Sequence, residues 1–405
     1  MSIELAIAAV SAVFFLGIVL TPLILRTGAP LLLLFLGLGM LLGQDGPGGY
    51  AFDDFQLAYH LGSIALAVIL FAGGLETELA DVRKAWAPAF TMATVGVCLT
   101  TGILGVLVSL LFGLPIEHAL LLGAVVGSTD AAATFMLLQQ RGIRLAGRIK
   151  QTILLESGLN DPFAIFLTLF LLSVVDASID GIGWSSAIEF LLQIGLGLGF
   201  GIAGGRIVAH LVNTTPLLSG MFPVFVLSGG LMIFGVTAAL GGSGFLAVYL
   251  CGVVVSARVT RTVERIISFH AAMAWIGQIG LFVMLGLLVN PSELPSVALP
   301  ALAMAGLLIF VARPLATIVC LTPFRFPIRH QAFIGWVGLR GAVPIFLAIL
   351  PVLSTGPVTV SFFNEVFIIV IASLVLQGWT IGPMARLLGV EVAPGPGEND
   401  DSPRP

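Results

Sequence analysis

Charge is scarce in this sequence. Asp, Glu, Lys and Arg make up only 9% of the 405 residues, whereas 58% are hydrophobic. Soluble domains carry about 25% charged residues, so this composition excludes an ordinary water-soluble protein. Cysteine is scarce as well. Cys98, Cys251 and Cys320 stand singly in apolar runs, which excludes a disulfide framework and a cysteine metal site, and we expect all three to be buried.

Long apolar runs make up most of the chain instead. They are long enough to cross a hydrocarbon layer of about 30 Å. The first run has no basic region before it and is too long for a signal peptide, so we expect it to be a spanning helix. We number thirteen runs as spans 1–13: 5–25, 29–43, 57–74, 86–112, 118–138, 151–175, 184–212, 221–240, 243–257, 271–290, 299–321, 330–353 and 361–388.

Charges at the span ends alternate along the chain. Basic residues fall at or beside every second connection: Arg26, Arg83, Lys84, Arg141, Arg144, Arg148, Lys150, Arg206, Arg258, Arg261, Arg265, Arg325, Arg329 and Arg386. The connections between them carry acids: Asp45, Asp53, Asp54, Glu117, Asp176, Asp180 and Glu293. Because positive charge marks the cytoplasmic side, the pattern predicts an N-terminus outside the cell and a cytoplasmic C-terminus.

Three short stretches recur in the same order at an offset of about 211 residues. VGSTDAA (126–132) matches VGLRGAV (337–343), FLGLGMLLG (35–43) matches FLAVYLCG (245–252), and LFAGGL (70–75) matches MLGLLV (284–289). The matches pair spans seven apart, which requires the two halves to be inverted. We therefore predict an all-α integral membrane protein with 13 transmembrane helices, formed by two inverted repeats of six helices (1–6 and 8–13) with crossed broken helices 5 and 12.

The predicted breaks carry charge. Residues 127–130 (GSTD) interrupt span 5, and residues 338–341 (GLRG) followed by Pro344 interrupt span 12. Unwound backbone at membrane depth requires protein or a water-filled cavity around it. We expect Asp130 to neutralise helix N-termini at the crossing and Arg340 to neutralise helix C-termini.

The stretch ESGLNDPF (156–163) concentrates polar groups in span 6. Ser157 and Asp161 are four residues apart and share one helix face, and Glu156 and Asn160 share the neighbouring face. Pro162 lacks an N–H and should free the carbonyl four residues earlier. These groups, with Thr129 across the site, are the oxygen ligands that suit a monovalent cation.

Five charges lie well inside spans, and such charges indicate function. Three are acids (Asp130, Glu156 and Asp161) and two are basic (Arg313 and Arg340), so one carboxylate is left over. One carboxylate can hold one proton or one monovalent cation, which predicts one-for-one exchange. Asp161 has the better set of neighbouring ligands, and either arginine could pair with Glu156.

Three motifs resemble those of a known family. GSTDAAATF (127–135), ESGLNDP (156–162) and GLRGAVP (338–344) are similar to signatures of the cation:proton antiporter-1 family, the NhaP-type bacterial antiporters. The resemblance covers about residues 5–390. It is greatest to the cell-volume-regulation or potassium/proton subtype, through GSGFLAVYLCG (242–252) and LGLLVNPS (285–292).

The resemblance implies residue roles. Asp161 would bind the ion, with Asn160 as its neighbour in the Asn-Asp pair of electroneutral members. Thr129, Asp130 and Ser157 would complete the site, with the cation at Asp161, Thr129 and Ser157. A structural ion pair would join Glu156 to Arg313, and Arg340 would lie in the broken helix 12.

The resemblance also implies a homodimer whose core moves like an elevator against a scaffold. The expected division is scaffold and dimer helices in 1–85, core helices in 86–178, linker span 7 with scaffold spans 8–10 in 179–298, core spans 11–13 in 299–390, and a disordered cytoplasmic tail in 391–405.

Two features depart from the family pattern. Relatives carry a long regulatory region after the last helix, whereas this chain ends in a short tail, so either regulation differs or the chain is cut short. Ala72 stands where relatives often place an acid, so an ion funnel would depend on Glu76, Glu78 and Asp81.

The predicted function is exchange of K⁺ or Na⁺ for H⁺ across the inner (plasma) membrane, with lipid and a second copy as partners. No cofactor, enzymatic activity or nucleic-acid binding is expected. The alternatives are a sodium-coupled organic-anion symporter, a channel and an intramembrane enzyme. The subtype resemblance favours potassium over sodium.

Overall fold

The computed structural model describes residues 3–27, 29–77, 79–177, 184–260, 263–354 and 358–392. These residues form helices and two isolated bridges. The first nine helices are α1 Ile3–Thr27, α2 Leu31–Leu42, α3 Phe55–Leu75, α4 Leu79–Thr91, α5 Val97–Phe112, α6 Ile116–Val125, α7 Ala131–Gln140, α8 Gly147–Ala177 and α9 Trp184–Thr214. The remaining helices are α10 Phe222–Ala239, α11 Gly244–Arg258, α12 Val263–Leu287, α13 Leu294–Leu307, α14 Arg313–Leu321, α15 Ile328–Trp336, α16 Ala342–Leu347, α17 Ile349–Leu353 and α18 Val360–Leu387.

Each predicted span corresponds to helix in the structure. Within the described ranges, eight helical segments are long and apolar enough to cross a membrane, two of which combine α4 with α5 and α13 with α14, and shorter apolar helices occupy the other spans. The all-helical membrane fold is therefore confirmed, while the count of thirteen crossings stays a prediction. Both expected breaks are present, between α6 and α7 and between α15 and α16. Helix α8, by contrast, continues through Pro162 without interruption.

Two π-helical turns add evidence for the internal repeat. The turn Met92–Gly96 joins α4 to α5, and the turn Leu308–Ala312 joins α13 to α14. Their first residues are 308 − 92 = 216 positions apart, close to the offset of the sequence matches. Each π turn precedes a broken helix and then a long helix, so the same order of elements occurs twice. Such turns are rare and often lie near functional sites.

The helices pack in two groups. Helix α11 packs against α9 and α3, and α12 packs against α2 and α3. In the second group α4 and α6 pack against α8, α5 packs against α6, and α13 packs against α18. Contacts between α8 and the helices α3 and α11 of the first group are sparse.

Glycines allow the first group to pack closely. A Cβ atom added at Gly74 of α3 would collide with the backbone of Tyr249 in α11, and one at Gly252 would lie 2.6 Å from the Phe71 carbonyl oxygen. Small residues let helix backbones approach where lipid supplies little driving force for association. The backbones of α3 and α11 therefore lie in close contact.

The C-terminal end of the described chain is tied to the connection before α8. Leu145 and Glu391 form an isolated antiparallel bridge, and Val392 N donates to Arg144 O at 2.9 Å. The described chain thus runs two residues into the predicted tail, and residues 393–405 lie outside the described residues. The expectation for cysteine is wrong at one position, because Cys98 is exposed on α5 while Cys251 and Cys320 are buried.

Candidate functional site

The two helix breaks meet at one crossing. Asp130 N, at the end of the first break, donates to Leu339 O in the second break at 2.8 Å. Thr134 Oγ1 in the first turn of α7 lies 3.3 Å from Val337 O. These bonds satisfy backbone groups that lost their helical partners, as buried backbone requires. The crossing places four helix ends, from α6, α7, α15 and α16, side by side.

Two charges stabilise those helix ends. Asp130 is the N-cap of α7, and its Oδ1 accepts from Ala133 N at 3.0 Å. The Arg340 guanidinium Nη1 donates to Gly127 O at 2.8 Å and to Ser128 O at 2.5 Å, just after the end of α6. The anion therefore faces a helix N-terminus and the cation faces carbonyls at a helix C-terminus, as the helix dipole favours.

Helix α18 holds the second break through a chain of polar side chains that the sequence analysis missed. Arg340 N donates to Ser373 Oγ at 3.1 Å, and Ser373 Oγ donates to Gln377 Oε1 at 2.5 Å. Gln377 Nε2 in turn donates to Trp336 O at 2.6 Å, where α15 ends. Trp336 Nε1 donates to Thr380 Oγ1 at 3.1 Å. Polar residues at helical spacing within span 13 were the available signal.

A buried ion pair joins α8 to α14. Arg313 Nη2 donates to Glu156 Oε1 at 2.5 Å, and both side chains are only 2% exposed. Arg313 is the residue that follows the π turn Leu308–Ala312. The π turn therefore connects directly to the arginine that neutralises Glu156.

Asn160 and Ser157 of α8 hold the first break. Asn160 Nδ2 donates to Thr129 Oγ1 at 2.6 Å, and Ser157 Oγ donates to Thr129 O at 2.8 Å. Ser157 Oγ also accepts from Ala131 N at 3.0 Å. Three of the predicted site residues are thus in mutual contact. Thr129 O, Thr129 Oγ1 and Ser157 Oγ are engaged in these hydrogen bonds, whereas Asn160 Oδ1 has no hydrogen bond to any described residue, so these residues position the break as well as lining the site.

Asp161 lies beside this cluster, partly exposed to a cavity of about 500 Å³. It forms no ion pair within the described part of the chain. The Ser128 side chain lies beside the Asp161 carboxylate. The Ser128 hydroxyl has no hydrogen bond to any other described residue. Ser128 is a further residue that the candidate set from sequence omitted.

The partners of the five intramembrane charges in the structure differ from those that counting acids and bases in the sequence suggested. Arg340 binds carbonyl oxygens rather than a carboxylate. Two acids therefore lack an arginine partner, where one was expected. Asp130 is satisfied by the N-terminus of α7, so of the three intramembrane acids Asp161 faces the cavity with neither an arginine nor a helix N-terminus as its partner among the described residues.

The cavity extends from Asp161 toward one end of the helices. Its lining includes Asp130, Glu76 at the C-cap of α3, Gln139 near the end of α7 and Gln151 in the first turns of α8. These helix ends border the basic connection 141–150. The cavity therefore extends toward the side for which the sequence predicts a cytoplasmic location.

The chain is similar to known ion-transport proteins. Residues 10–387 match the family model described as sodium/hydrogen exchanger, transmembrane. The K(+)/H(+) antiporter NhaP of Alkalimonas amylolytica is 46% identical over 402 residues, which is 99% of this chain and 70% of that protein. The K(+)/H(+) antiporter NhaP2 of Shewanella sp. strain MR-4 is 45% identical over 384 residues, 94% of this chain and 66% of that protein.

A solved structure has the same fold. The sodium proton antiporter MjNhaP1 from Methanocaldococcus jannaschii superimposes with a TM-score of 0.83 over 96% of this chain and 100% of that chain, at 22% sequence identity. The chain spans about two thirds of the length of the two antiporters named above. The resemblance inferred from three motifs is confirmed by the family match and by relatives at 46% and 45% identity over nearly the whole chain: this protein belongs to the sodium/hydrogen exchanger family.

Proposed function

We propose that this chain is a secondary-active antiporter that exchanges a monovalent cation for a proton across the cell membrane. The observation that carries the proposal is the Asp161 carboxylate, which lines a 500 Å³ cavity without an ion pair in the described chain. The other intramembrane charges are engaged in holding the helices. Asp161 is therefore the group that remains for a transported ion.

Competition at one carboxylate explains the exchange. An uncompensated carboxylate inside a membrane protein is costly, and either a proton or a cation removes that cost. Both cannot neutralise the same charge at once, so cation and proton alternate. One carboxylate carries one charge in either form, which makes the exchange one-for-one and electroneutral.

The neighbouring residues have separate roles in this proposal. Asp161, Thr129 and Ser157 offer oxygen ligands to the cation, since hydroxyl, carbonyl and carboxylate oxygens suit a hard cation. Asn160 keeps Thr129 in place through its 2.6 Å hydrogen bond. Asp130 caps α7 and contributes negative potential to the same cavity.

Transport requires the site to face each side in turn. We assign the moving core to the helix group that contains both breaks, and the scaffold to the group around the α3–α11 contact. The sparse contacts of α8 with α3 and α11 favour sliding of one group past the other. A homodimer formed through the scaffold helices, in the plasma membrane with a cytoplasmic C-terminus, completes this proposal.

Potassium is the proposed physiological cation, with sodium second. Two relatives at 45–46% identity carry the name K(+)/H(+) antiporter, whereas the structural neighbour at 22% identity is a sodium proton antiporter. The relatives with the higher identity favour potassium. The ligand oxygens alone suit either ion.

The test is cation-driven pH change in proteoliposomes that contain the purified protein. Potassium, sodium and lithium are added in turn, with and without a clamped membrane potential. Asp161→Asn is compared with Asp53→Asn, which makes the same chemical change at an exposed loop position. We expect a cation-dependent pH change that does not depend on the membrane potential, that persists in Asp53→Asn and that is absent in Asp161→Asn.

Two results would refute the proposal. One is a pH change that persists in Asp161→Asn, since the central carboxylate would then be dispensable. The other is no response to any cation in the wild-type protein. The cation that drives the larger pH change decides between potassium and sodium.

A further inference from the structure

One hydroxyl of the first helix break differs from the other polar groups around it. The Ser128 side chain lies beside the Asp161 carboxylate, and its Oγ has no hydrogen bond to any other described residue. Ser128 is only 1% exposed, and it lines the cavity. Buried polar groups in proteins are nearly always hydrogen-bonded, so an exception of this kind indicates a partner outside the chain, such as water or an ion.

The backbone on both sides of this hydroxyl is held in place. Arg340 Nη1 donates to Ser128 O at 2.5 Å. The next residue, Thr129, is held at its carbonyl by Ser157 Oγ and at its hydroxyl by Asn160 Nδ2. The position of Ser128 beside Asp161 is therefore fixed by contacts that leave its own hydroxyl unused.

The hydroxyls of Ser157 and Thr129 are more heavily engaged. Ser157 Oγ donates to Thr129 O at 2.8 Å and accepts from Ala131 N at 3.0 Å. Thr129 Oγ1 accepts from Asn160 Nδ2 at 2.6 Å. A cation that exchanges hydrating water for protein oxygen atoms would compete with these hydrogen bonds, whereas the Ser128 hydroxyl is available to it without such a loss. Hydroxyl oxygens suit hard monovalent cations.

Building on the proposed function, we propose that Ser128 Oγ is a direct ligand of the transported cation at Asp161. Asp161 supplies the charge that cation and proton share in turn, and Ser128 supplies a neutral oxygen that adds affinity for the cation. Both residues belong to the helix group that we assign to the moving core. The ligand therefore travels with the cation, and its loss should weaken cation binding from either side of the membrane.

The experiment measures KM and kcat for potassium, sodium and thallium(I) by cation-driven pH change in proteoliposomes, in both gradient directions, with the cations added as nitrate salts. Ser128→Ala removes the oxygen, and Ser128→Cys replaces it with sulfur. Sulfur is a soft ligand, which suits thallium(I) better than the hard alkali cations. Ser228→Ala is the matched control, because Ser228 is an exposed serine of α10 whose hydroxyl bonds its own helix and which does not line the cavity.

For Ser128→Ala we expect the KM for potassium to rise about three- to tenfold in both directions, with kcat near the wild-type value, because one ligand of the bound cation is lost. Ser128→Cys should show a similar rise for potassium, whereas its KM for thallium(I) should stay within twofold of wild type. Ser228→Ala should match wild type. The melting temperature of Ser128→Ala should be no lower than that of wild type, since the hydroxyl bonds no other described residue.

Four results would overturn the inference. They are a KM for potassium in Ser128→Ala within twofold of wild type, an equal rise in Ser228→Ala, an equal rise for potassium and thallium(I) in Ser128→Cys, and a lower kcat or melting temperature in Ser128→Ala with KM unchanged. The last two would indicate a structural role for the side chain.

Failure of the proposed function would have a different result, which is an absence of exchange in the wild-type protein. If wild type exchanges and Ser128→Ala has the same KM, only the role of Ser128 as a ligand is wrong.

Discussion

Breaking the buried ion pair between α8 and α14 should destabilise the protein strongly. In Glu156→Gln, the Arg313 guanidinium would keep its charge in a site where it is 2% exposed and would lose the carboxylate 2.5 Å away. Arg313 Nε and Nη1 have no hydrogen bond to any described residue, so no other group replaces Glu156. Removing one partner of a buried pair costs about 3–5 kcal/mol, a factor of about 10²–10³ or more in the folded-to-unfolded ratio.

The measurement is thermal unfolding of purified protein in one detergent, followed by the loss of monodisperse protein after heating. Glu117→Gln is the matched control, because it makes the same change at a partly exposed position away from the ion pair. The double variant Glu156→Leu with Arg313→Met should melt above Glu156→Gln, since an apolar pair leaves no uncompensated charge. The reasoning is refuted if Glu156→Gln has the same melting temperature as Glu117→Gln, or if the double variant has a lower melting temperature than Glu156→Gln.

Three further substitutions test other contacts of the site. Gly158→Ala should slow exchange about five- to a hundredfold, because its methyl group would lie 2.7 Å from the Tyr249 hydroxyl oxygen and such overpacking costs about 1–3 kcal/mol. Adding Tyr249→Leu to the Gly158→Ala chain should restore the exchange rate. If the double variant stays as slow as Gly158→Ala, the steric account is contradicted. Gly341→Ala should abolish cation-driven pH change in folded protein, because its methyl group would collide with the Asp130 carboxylate; normal exchange would show that the crossing is not this tight. Gln377→Leu should lower stability by about 1–3 kcal/mol in thermal unfolding, since it leaves Ser373 Oγ and Trp336 O without this hydrogen-bond partner. An unchanged melting temperature would contradict this and show that water replaces the lost hydrogen bonds.

The helix breaks could be predicted from sequence because their cause is local. Glycine, proline and charge within apolar runs are unfavourable for a continuous helix, and both breaks occur at such residues, 127–130 and 338–341. The continuous course of α8 through Pro162 shows the limit of this reasoning. Packing from neighbouring helices there outweighs the local cost of one proline.

The partners of the charged residues could not be predicted in the same way. Counting acids and bases treats Arg313 and Arg340 as equivalent, and only the resemblance to a family distinguished them. In the structure Arg340 is surrounded by carbonyls at the end of α6, while Arg313 reaches Glu156 across a sequence separation of 157 residues. Such contacts depend on tertiary packing, which periodicity and composition do not encode.

The residues that support the breaks were missed for a related reason. Ser373 and Gln377 are uncharged and look like ordinary polar residues within span 13, yet they satisfy backbone groups of the second break. The π turns have no mark in composition either, since Met92–Gly96 and Leu308–Ala312 are ordinary apolar stretches. The requirement to satisfy unwound backbone at membrane depth explains why Ser373 and Gln377 occur in α18.

The central claim is that one carboxylate, Asp161, binds either a cation or a proton. The most direct measurement is the apparent KM for potassium as a function of pH in wild-type proteoliposomes. Competition predicts that KM rises as pH falls, approaching about tenfold per pH unit once the carboxyl is mostly protonated, while the maximal rate at saturating potassium changes little. A KM that stays constant with pH while the maximal rate changes would contradict competition at a single site.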